Sequence, residues 1–154
     1  MAISLEKRLT EINKGLQTKF TLADEESLDI QRISTGLPNL DAMLGGGLPR
    51  KSSTIIYGQE SSGKTFIALK AIAHAQSEGL ECGFVDAEFS YDPVWAEKVG
   101  IQKKKLYIIQ PETGEQALDA TLALCKAGID LVIVDSIAAL LPTKAIFLSY
   151  HCSM

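Results

Sequence analysis

The residues best suited to chemistry stand together at positions 58–65, which read GQESSGKT. Gly58 is followed by four residues and then by Gly63, Lys64 and Thr65, which is the spacing of a phosphate-binding loop. Glycines let backbone N–H groups turn toward a phosphate, and a helix that begins here adds the positive end of its dipole. Lys64 would reach the β- and γ-phosphates, and the Thr65 hydroxyl would bind Mg²⁺. The residues of this predicted nucleotide site are Gly58, Gln59, Glu60, Ser61, Ser62, Gly63, Lys64 and Thr65.

A second pattern with chemical meaning is LVIVD at residues 131–135. Four apolar residues followed by an aspartate are typical of a Walker B strand, whose carboxylate orients Mg²⁺. Buried strands also end in aspartates that only cap a turn, so the pattern alone leaves both interpretations open. Beside a phosphate-binding loop, the Mg²⁺ interpretation of Asp135 is favoured.

Two further acids, Asp86 and Glu88, lie at and just beyond the end of another apolar run. Ligands of open parallel sheets bind beyond the carboxyl ends of the strands, where these acids would lie. Hydrolysis of a phosphate ester needs a carboxylate near the attacking water, which makes Glu88 a candidate for that role. The alternative is a solvated loop carboxylate, and periodicity alone favours it.

The elements that would position these residues alternate along the chain. Apolar runs predict strands at residues 53–57, 83–86, 106–110 and 131–134. Amphipathic runs predict helices at residues 64–76, 92–99 and 113–127. Asp92 stands where an N-cap is expected, and Thr113 with Gln116 forms a capping-box pattern. Strands that are apolar on both faces and alternate with helices predict an α/β fold with a mostly parallel sheet flanked by helices.

The N-terminal segment has its own pattern. Leu5, Leu9, Ile12 and Leu16 recur at steps of three and four, which predicts a helix with one apolar stripe. The acidic segment 23–28 separates this helix from the rest of the chain. The stripe would pack either on its own domain or on a neighbouring molecule, and the pattern leaves both open.

Length and composition limit the class of protein. The chain has 154 residues, about one domain, and its net charge of −4 argues against a broad basic face for nucleic acid. Binding of nucleic acid through a local loop stays open.

No apolar stretch reaches the roughly 18 residues that span a bilayer, and the N-terminus lacks a signal-peptide pattern. We therefore expect a cytoplasmic protein without membrane contact.

Five segments taken together resemble the RecA recombinase family in order and spacing over residues 30–145. They are ISTGLPNLD from Ile33, GQESSGKT from Gly58, VDAEFSYDP from Val85, QPETGEQAL from Gln110 and VIVDSIAALLPTKA up to Ala145. The resemblance implies a P-loop NTPase core of RecA type. It also implies ATP and Mg²⁺ as cofactors, single-stranded DNA as a partner, and a homo-oligomer or filament formed through the N-terminal helix.

The resemblance assigns roles to individual residues. Lys64 and Glu88 match catalytic positions of the family, and Glu88 matches its catalytic glutamate. Thr65 and Asp135 match the residues that bind Mg²⁺. Asp92 and Trp95 match residues that contact and stack on adenine; for Trp95, an ordinary packing aromatic is the alternative.

The resemblance also divides the chain. Residues 1–30 would be an oligomerisation arm with an acidic linker, residues 31–145 part of the ATP-binding core, and residues 146–154 a divergent tail. The DNA-contacting loops and the γ-phosphate sensor strand of the family come later in its sequences. We therefore expect a core that is incomplete at its C-terminal end, as in a truncated, frame-shifted or interrupted gene. The alternative, which is less favoured, is a small variant whose tail fills the gap.

Three functions follow from these expectations. The first is a RecA-like, DNA-dependent ATPase of homologous recombination and DNA repair. The second is a nucleotide-binding fragment that caps or regulates the filament of a full-length recombinase. The third, a P-loop kinase of a small molecule, is weaker because the sequence shows neither a lid nor an acceptor site between its motifs.

Overall fold

The computed structural model describes residues 5–15 and 29–140, which fall into two compact units. The first unit, residues 1–31, contains helix α1 (Leu5–Gly15), which confirms the predicted N-terminal helix. Two residues of its apolar stripe are exposed, Leu5 to 71% and Ile12 to 49%. Leu16 and the acidic segment 23–28 lie outside the described residues, as does the divergent tail 146–154.

The second unit begins at Arg32 and contains the predicted alternation of strands and helices. Its elements are β1 (Arg32–Ile33), α2 (Pro38–Met43), β2 (Leu48–Pro49), α3 (Lys64–Ser77), β3 (Cys82–Asp86), α4 (Pro93–Val99), β4 (Leu106–Ile109), α5 (Gly114–Lys126) and β5 (Leu131–Asp135). Short 3-10 turns occupy Lys103–Lys105 and Ile137–Ala139. No helix in the described ranges is both long and apolar enough to cross a membrane.

A three-stranded parallel sheet forms the centre of this unit, in the order β4-β3-β5. All five residues of β3 are buried, because this strand has a neighbour on each side. Asp86 and Asp135, the last residues of β3 and β5, are paired in register. The α/β architecture with a parallel sheet and flanking helices is thus confirmed, and the strand ends that carry the acids lie side by side.

Helices cover both faces of β3. Cys82 and Phe84 join a buried cluster with Leu69 and Ile72 of α3, while a Cβ on Gly83 would lie 2.9 Å from a methyl group of Leu124 on α5. Successive side chains of a strand point to opposite faces, so α3 and α5 pack on opposite sides of the sheet. Glycine at position 83 allows the close approach of α5.

The strand predicted at residues 53–57 is not formed. This segment follows an irregular path, with Ile55 exposed to 71% and Tyr57 to 90%. A β-strand is defined by hydrogen bonds to a neighbouring strand, and no strand among the described residues pairs with this segment. The segment still leads directly into the loop that begins at Gly58.

Candidate functional site

The loop 58–63 ends at Gly63, in a conformation that begins helix α3. Gly63 is the N-cap of α3 and has a φ of 88°, in the left-handed region where glycine carries no steric penalty. No side chain caps the first turn of α3. Among the described residues, the N–H groups at the start of this 14-residue helix therefore have no side-chain acceptor, as an anion site at a helix N-terminus requires.

Lys64 folds back over the beginning of the same loop. Its Nζ donates hydrogen bonds to the carbonyl oxygens of Gly58, at 3.2 Å, and Gln59, at 2.8 Å. The first two carbonyl groups of the loop thus hold the ammonium group of Lys64. A positive charge at this point is placed to meet an anion that also receives the N–H groups of the helix.

A hydrogen bond joins Thr65 at the start of α3 to Asp135 at the end of β5. The Thr65 hydroxyl, in the first turn of α3, donates a 2.6 Å hydrogen bond to Asp135 Oδ2 at the end of β5. A hydroxyl and a carboxylate are the hard oxygen donors that Mg²⁺ prefers. The described residues contain no group of three or more His, Cys, Asp or Glu side chains placed to hold a metal ion. This small donor set fits Mg²⁺, which takes its remaining ligands from phosphate and water.

Glu88 lies beside this pair. Its Oε1 accepts a 2.5 Å hydrogen bond from the hydroxyl of Ser136, the residue that follows Asp135. The N–H of Ala87 also donates to the carbonyl oxygen of Asp135, at 2.8 Å. Two consecutive residues at the end of β5 therefore make these contacts: Asp135 binds Thr65, and Ser136 binds Glu88.

Asp86 has a different position from the other two acids. It is completely buried, and its carboxylate accepts hydrogen bonds from the N–H groups of Ser90 and Tyr91 and from the side-chain amide of Gln110, at 2.9–3.0 Å. Burial alone would raise the pKa of Asp86, but these hydrogen bonds to the ionised form outweigh it and lower the pKa. Asp86 anchors the loop that carries Glu88.

Asp92 and Trp95 stand at the start of α4. Asp92 Oδ1 accepts hydrogen bonds from the N–H groups of Val94 and Trp95, which confirms the predicted N-cap. The Trp95 side chain is 49% exposed and lies outside the buried core. Within the described residues, no hydrogen bond joins either side chain to the phosphate-binding loop.

The structure thus brings together part of the predicted site. Thr65, Asp135 and Glu88 form one connected group, and Lys64 lies in the loop next to Thr65. Ser136 was not predicted as the partner of Glu88. Gln110 was also not predicted as a hydrogen-bond donor to Asp86. Both Ser136 and Gln110 follow the carboxyl ends of strands, where a polar side chain indicates contact with the site.

Known proteins match this chain over nearly its whole length. Residues 3–148 match the family described as RecA N-terminal domain. The chain belongs to the RecA family. The resemblance inferred from the five sequence segments is confirmed.

Two curated relatives give the extent of the likeness. Protein RecA of Sinorhizobium fredii (strain NBRC 101917 / NGR234) is 48% identical over 148 residues, which are 93% of this chain and 41% of that protein. Protein RecA of Ectopseudomonas oleovorans is 47% identical over 147 residues, which are 93% of this chain and 42% of that protein. The chain therefore spans about two fifths of the length of these RecA proteins.

Proposed function

We propose that this chain binds Mg²⁺-ATP and hydrolyses it as the nucleotide-binding part of a RecA-type recombinase. The contact between Thr65 Oγ1 and Asp135 Oδ2, at 2.6 Å, carries this proposal. It joins the end of the phosphate-binding loop to the end of the Walker B strand, and both groups are ligands that Mg²⁺ accepts. Membership of the RecA family supports the same conclusion.

The loop would bind the phosphates of ATP through three features. Gly63 opens the first turn of α3, the helix N-terminus offers N–H groups, and Lys64 adds a positive charge at the same point. Each of these favours a phosphate over an uncharged ligand. On binding, Lys64 would exchange the carbonyl oxygens of Gly58 and Gln59 for phosphate oxygens, which are stronger acceptors.

Thr65 and Asp135 would hold the metal. The Thr65 hydroxyl oxygen and the Asp135 carboxylate oxygen are already in hydrogen-bond contact. A cation that binds here would take the position between the two oxygens that the hydroxyl proton now occupies. Bound Mg²⁺ would withdraw charge from the phosphate oxygens and stabilise the transition state electrostatically. Asp135 would keep the local charge negative and favour a divalent cation over a monovalent one.

Glu88 would act as the general base. It lies next to Asp135 and Ser136, on the side of the loop that is exposed to solvent, so water can reach it. Glu88 would accept a proton from a water molecule while the water oxygen bonds to the γ-phosphorus. The bond from the γ-phosphorus to the bridging oxygen would break, and its electron pair would leave with ADP.

Asp92 and Trp95 would form the adenine end of the site. The exposed face of Trp95 can stack on a purine ring. Asp92 fixes the first turn of α4, and therefore the Trp95 backbone, through its cap. This assignment rests on the family motif and on the exposure of the ring.

DNA binding and assembly belong to the wider proposal. The two curated relatives are named RecA, and we propose that this chain acts in homologous recombination and DNA repair, with single-stranded DNA as the partner. The exposed apolar stripe of α1, with Leu5 and Ile12, would contact another protomer in a homo-oligomer or filament. Residues 31–145 would form the ATP-binding core and residues 1–30 the arm.

The proposal is tested by measuring nucleotide binding and hydrolysis on the purified chain. We expect ATP binding that strengthens when Mg²⁺ is added, and hydrolysis that rises on addition of single-stranded DNA. If the chain binds ATP but single-stranded DNA does not stimulate hydrolysis, the function would be limited to nucleotide binding. Absence of ATP binding with and without Mg²⁺ would contradict the proposal as a whole.

A further inference from the structure

Ser136 holds the side chain that the proposed mechanism uses as its base. Its hydroxyl donates to Glu88 Oε1 at 2.5 Å, although the two residues are 48 positions apart. Ser136 directly follows Asp135, which accepts the hydroxyl of Thr65. Two neighbouring residues at the end of β5 thus contact the predicted metal ligand and the predicted base.

The backbone around Glu88 is fixed separately from its carboxylate. The N–H of Ala87 donates to the carbonyl oxygen of Asp135 at 2.8 Å, and Asp86 anchors the rest of the loop through Ser90 and Tyr91. The Glu88 side chain extends from this fixed backbone into an exposed position. An exposed glutamate samples many rotamers, and ordering it costs conformational entropy. The Ser136 hydroxyl is the contact that selects one of them.

A neutral donor suits a carboxylate that must accept a proton. A lysine or arginine partner would form an ion pair with the carboxylate, whereas the serine hydroxyl carries no charge. A serine hydroxyl supplies one hydrogen bond to Oε1 of Glu88. The contact thus fixes the position of the carboxylate.

We propose that Ser136 is a positioning residue for Glu88: its hydroxyl holds the carboxylate beside the Thr65–Asp135 pair in the orientation that hydrolysis requires. This inference rests on the proposed ATP hydrolysis. It predicts that the hydroxyl at position 136 affects the chemical step, with little effect on the binding of ATP.

Steady-state kinetics of three variants test the catalytic consequence. Ser136→Ala should lower kcat about tenfold, a part of the roughly 10²–10⁴ that a positioned general base supplies, and leave KM within about twofold. Ser136→Thr keeps a hydroxyl and should recover most of the rate. Ser90→Ala removes a hydroxyl from the Glu88 loop, where the backbone N–H and not the side chain binds Asp86, and serves as the matched control.

A combination with Glu88→Gln separates positioning from general damage. If Ser136 acts through Glu88, Ser136→Ala should lower kcat no further in the Glu88→Gln background. An unchanged kcat in Ser136→Ala overturns the proposal. So does an equal loss in Ser90→Ala, or a failure of Ser136→Thr to recover the rate.

Carbon-13 NMR of the glutamate carboxyl groups tests the contact without hydrolysis. The Glu88 signal is assigned by its disappearance in Glu88→Gln. It should shift in Ser136→Ala and stay in place in Ser90→Ala. If the chain does not hydrolyse ATP, the proposed catalysis fails, and this signal alone decides whether Ser136 holds Glu88: a signal that does not move in Ser136→Ala overturns the inference.

Discussion

Thr65 and Asp135 lie 70 residues apart in the chain, yet the hydroxyl of one donates a 2.6 Å hydrogen bond to the carboxylate of the other. Thr65 stands in the first turn of α3 and Asp135 at the end of β5. The contact connects the loop that would bind phosphate to the strand that would orient a metal.

Lys64→Ala should remove most of the affinity for ATP. Loss of a charge-assisted hydrogen bond to phosphate weakens binding by about 10- to 100-fold, and more where the charge contacts two phosphates. Lys104→Ala, a change of the same kind in the 3-10 turn Lys103–Lys105, should leave affinity unchanged. Calorimetric titration with ATP compares the two. Equal affinities would show that Lys64 does not contact the nucleotide.

Glu88→Gln should separate binding from hydrolysis. Glutamine has nearly the same shape but cannot accept a proton at neutral pH, so hydrolysis should fall by about 10²–10⁴ while ATP affinity stays within about twofold. Phosphate release and ATP titration on the same preparation give both numbers. A parallel loss of affinity would mean that Glu88 binds the nucleotide and is not the base.

Trp95 offers a direct signal for the adenine position. It is the only tryptophan of the chain, and its side chain is 49% exposed. Stacking of a purine on the ring should quench its fluorescence when ATP is added, whereas tripolyphosphate, which lacks a base, should have little effect. The same quenching by both compounds would indicate a change around α4 without stacking. No change with ATP would place the adenine elsewhere.

Asp86 should make stability depend on pH in the acid range. The fold lowers the pKa of Asp86 below its ordinary value of 3.8, because hydrogen bonds from Gln110, Ser90 and Tyr91 outweigh the effect of burial. A lowered pKa in the folded state adds stability that is fully present above the unfolded-state pKa. This stability is lost as the pH falls through the lower, folded-state pKa.

The corresponding variant is Asp86→Asn. Asparagine offers one acceptor oxygen in place of two, so we expect a loss of about 2–4 kcal/mol at pH 7. The decrease in stability below pH 4 should also become shallower than in the parent chain. Urea unfolding at a series of pH values measures both effects. Equal stability of the two chains at pH 7 would contradict the anchoring role.

Local patterns predicted α1, α3, α4 and α5, whereas the short helix α2 (Pro38–Met43) was not predicted. Thr113 caps α5 by accepting from the N–H of Gln116 at 3.2 Å, as the capping box requires. The Gln116 side chain binds the N–H of Glu112, one residue before the position that the pattern predicts. A helix cap depends on side chains within about four residues of the helix end, so the local sequence is enough to predict it.

Strand pairing and side-chain contacts between distant segments were less predictable. Residues 53–57 have the composition of a strand but form none, because strand formation depends on a neighbour that lies elsewhere in the chain. Asp86 and Glu88 stand two positions apart at the end of the same strand, yet one is buried and the other exposed. The contact of Ser136 with Glu88 depends on how β5 and the loop after β3 meet, which periodicity does not encode.

The Mg²⁺ dependence of ATP affinity tests the central claim most directly. The measurement compares ATP titrations with Mg²⁺ and with chelator for the parent chain, Thr65→Ala and Asp135→Asn. The matched controls are Thr121→Ala and Asp119→Asn on α5. We expect Mg²⁺ to strengthen ATP binding at least about tenfold, equal to ~1.4 kcal/mol, in the parent chain and both controls. Thr65→Ala and Asp135→Asn should lose most of this gain. A full Mg²⁺ effect in both site variants would contradict the assignment of Thr65 and Asp135 as the metal site.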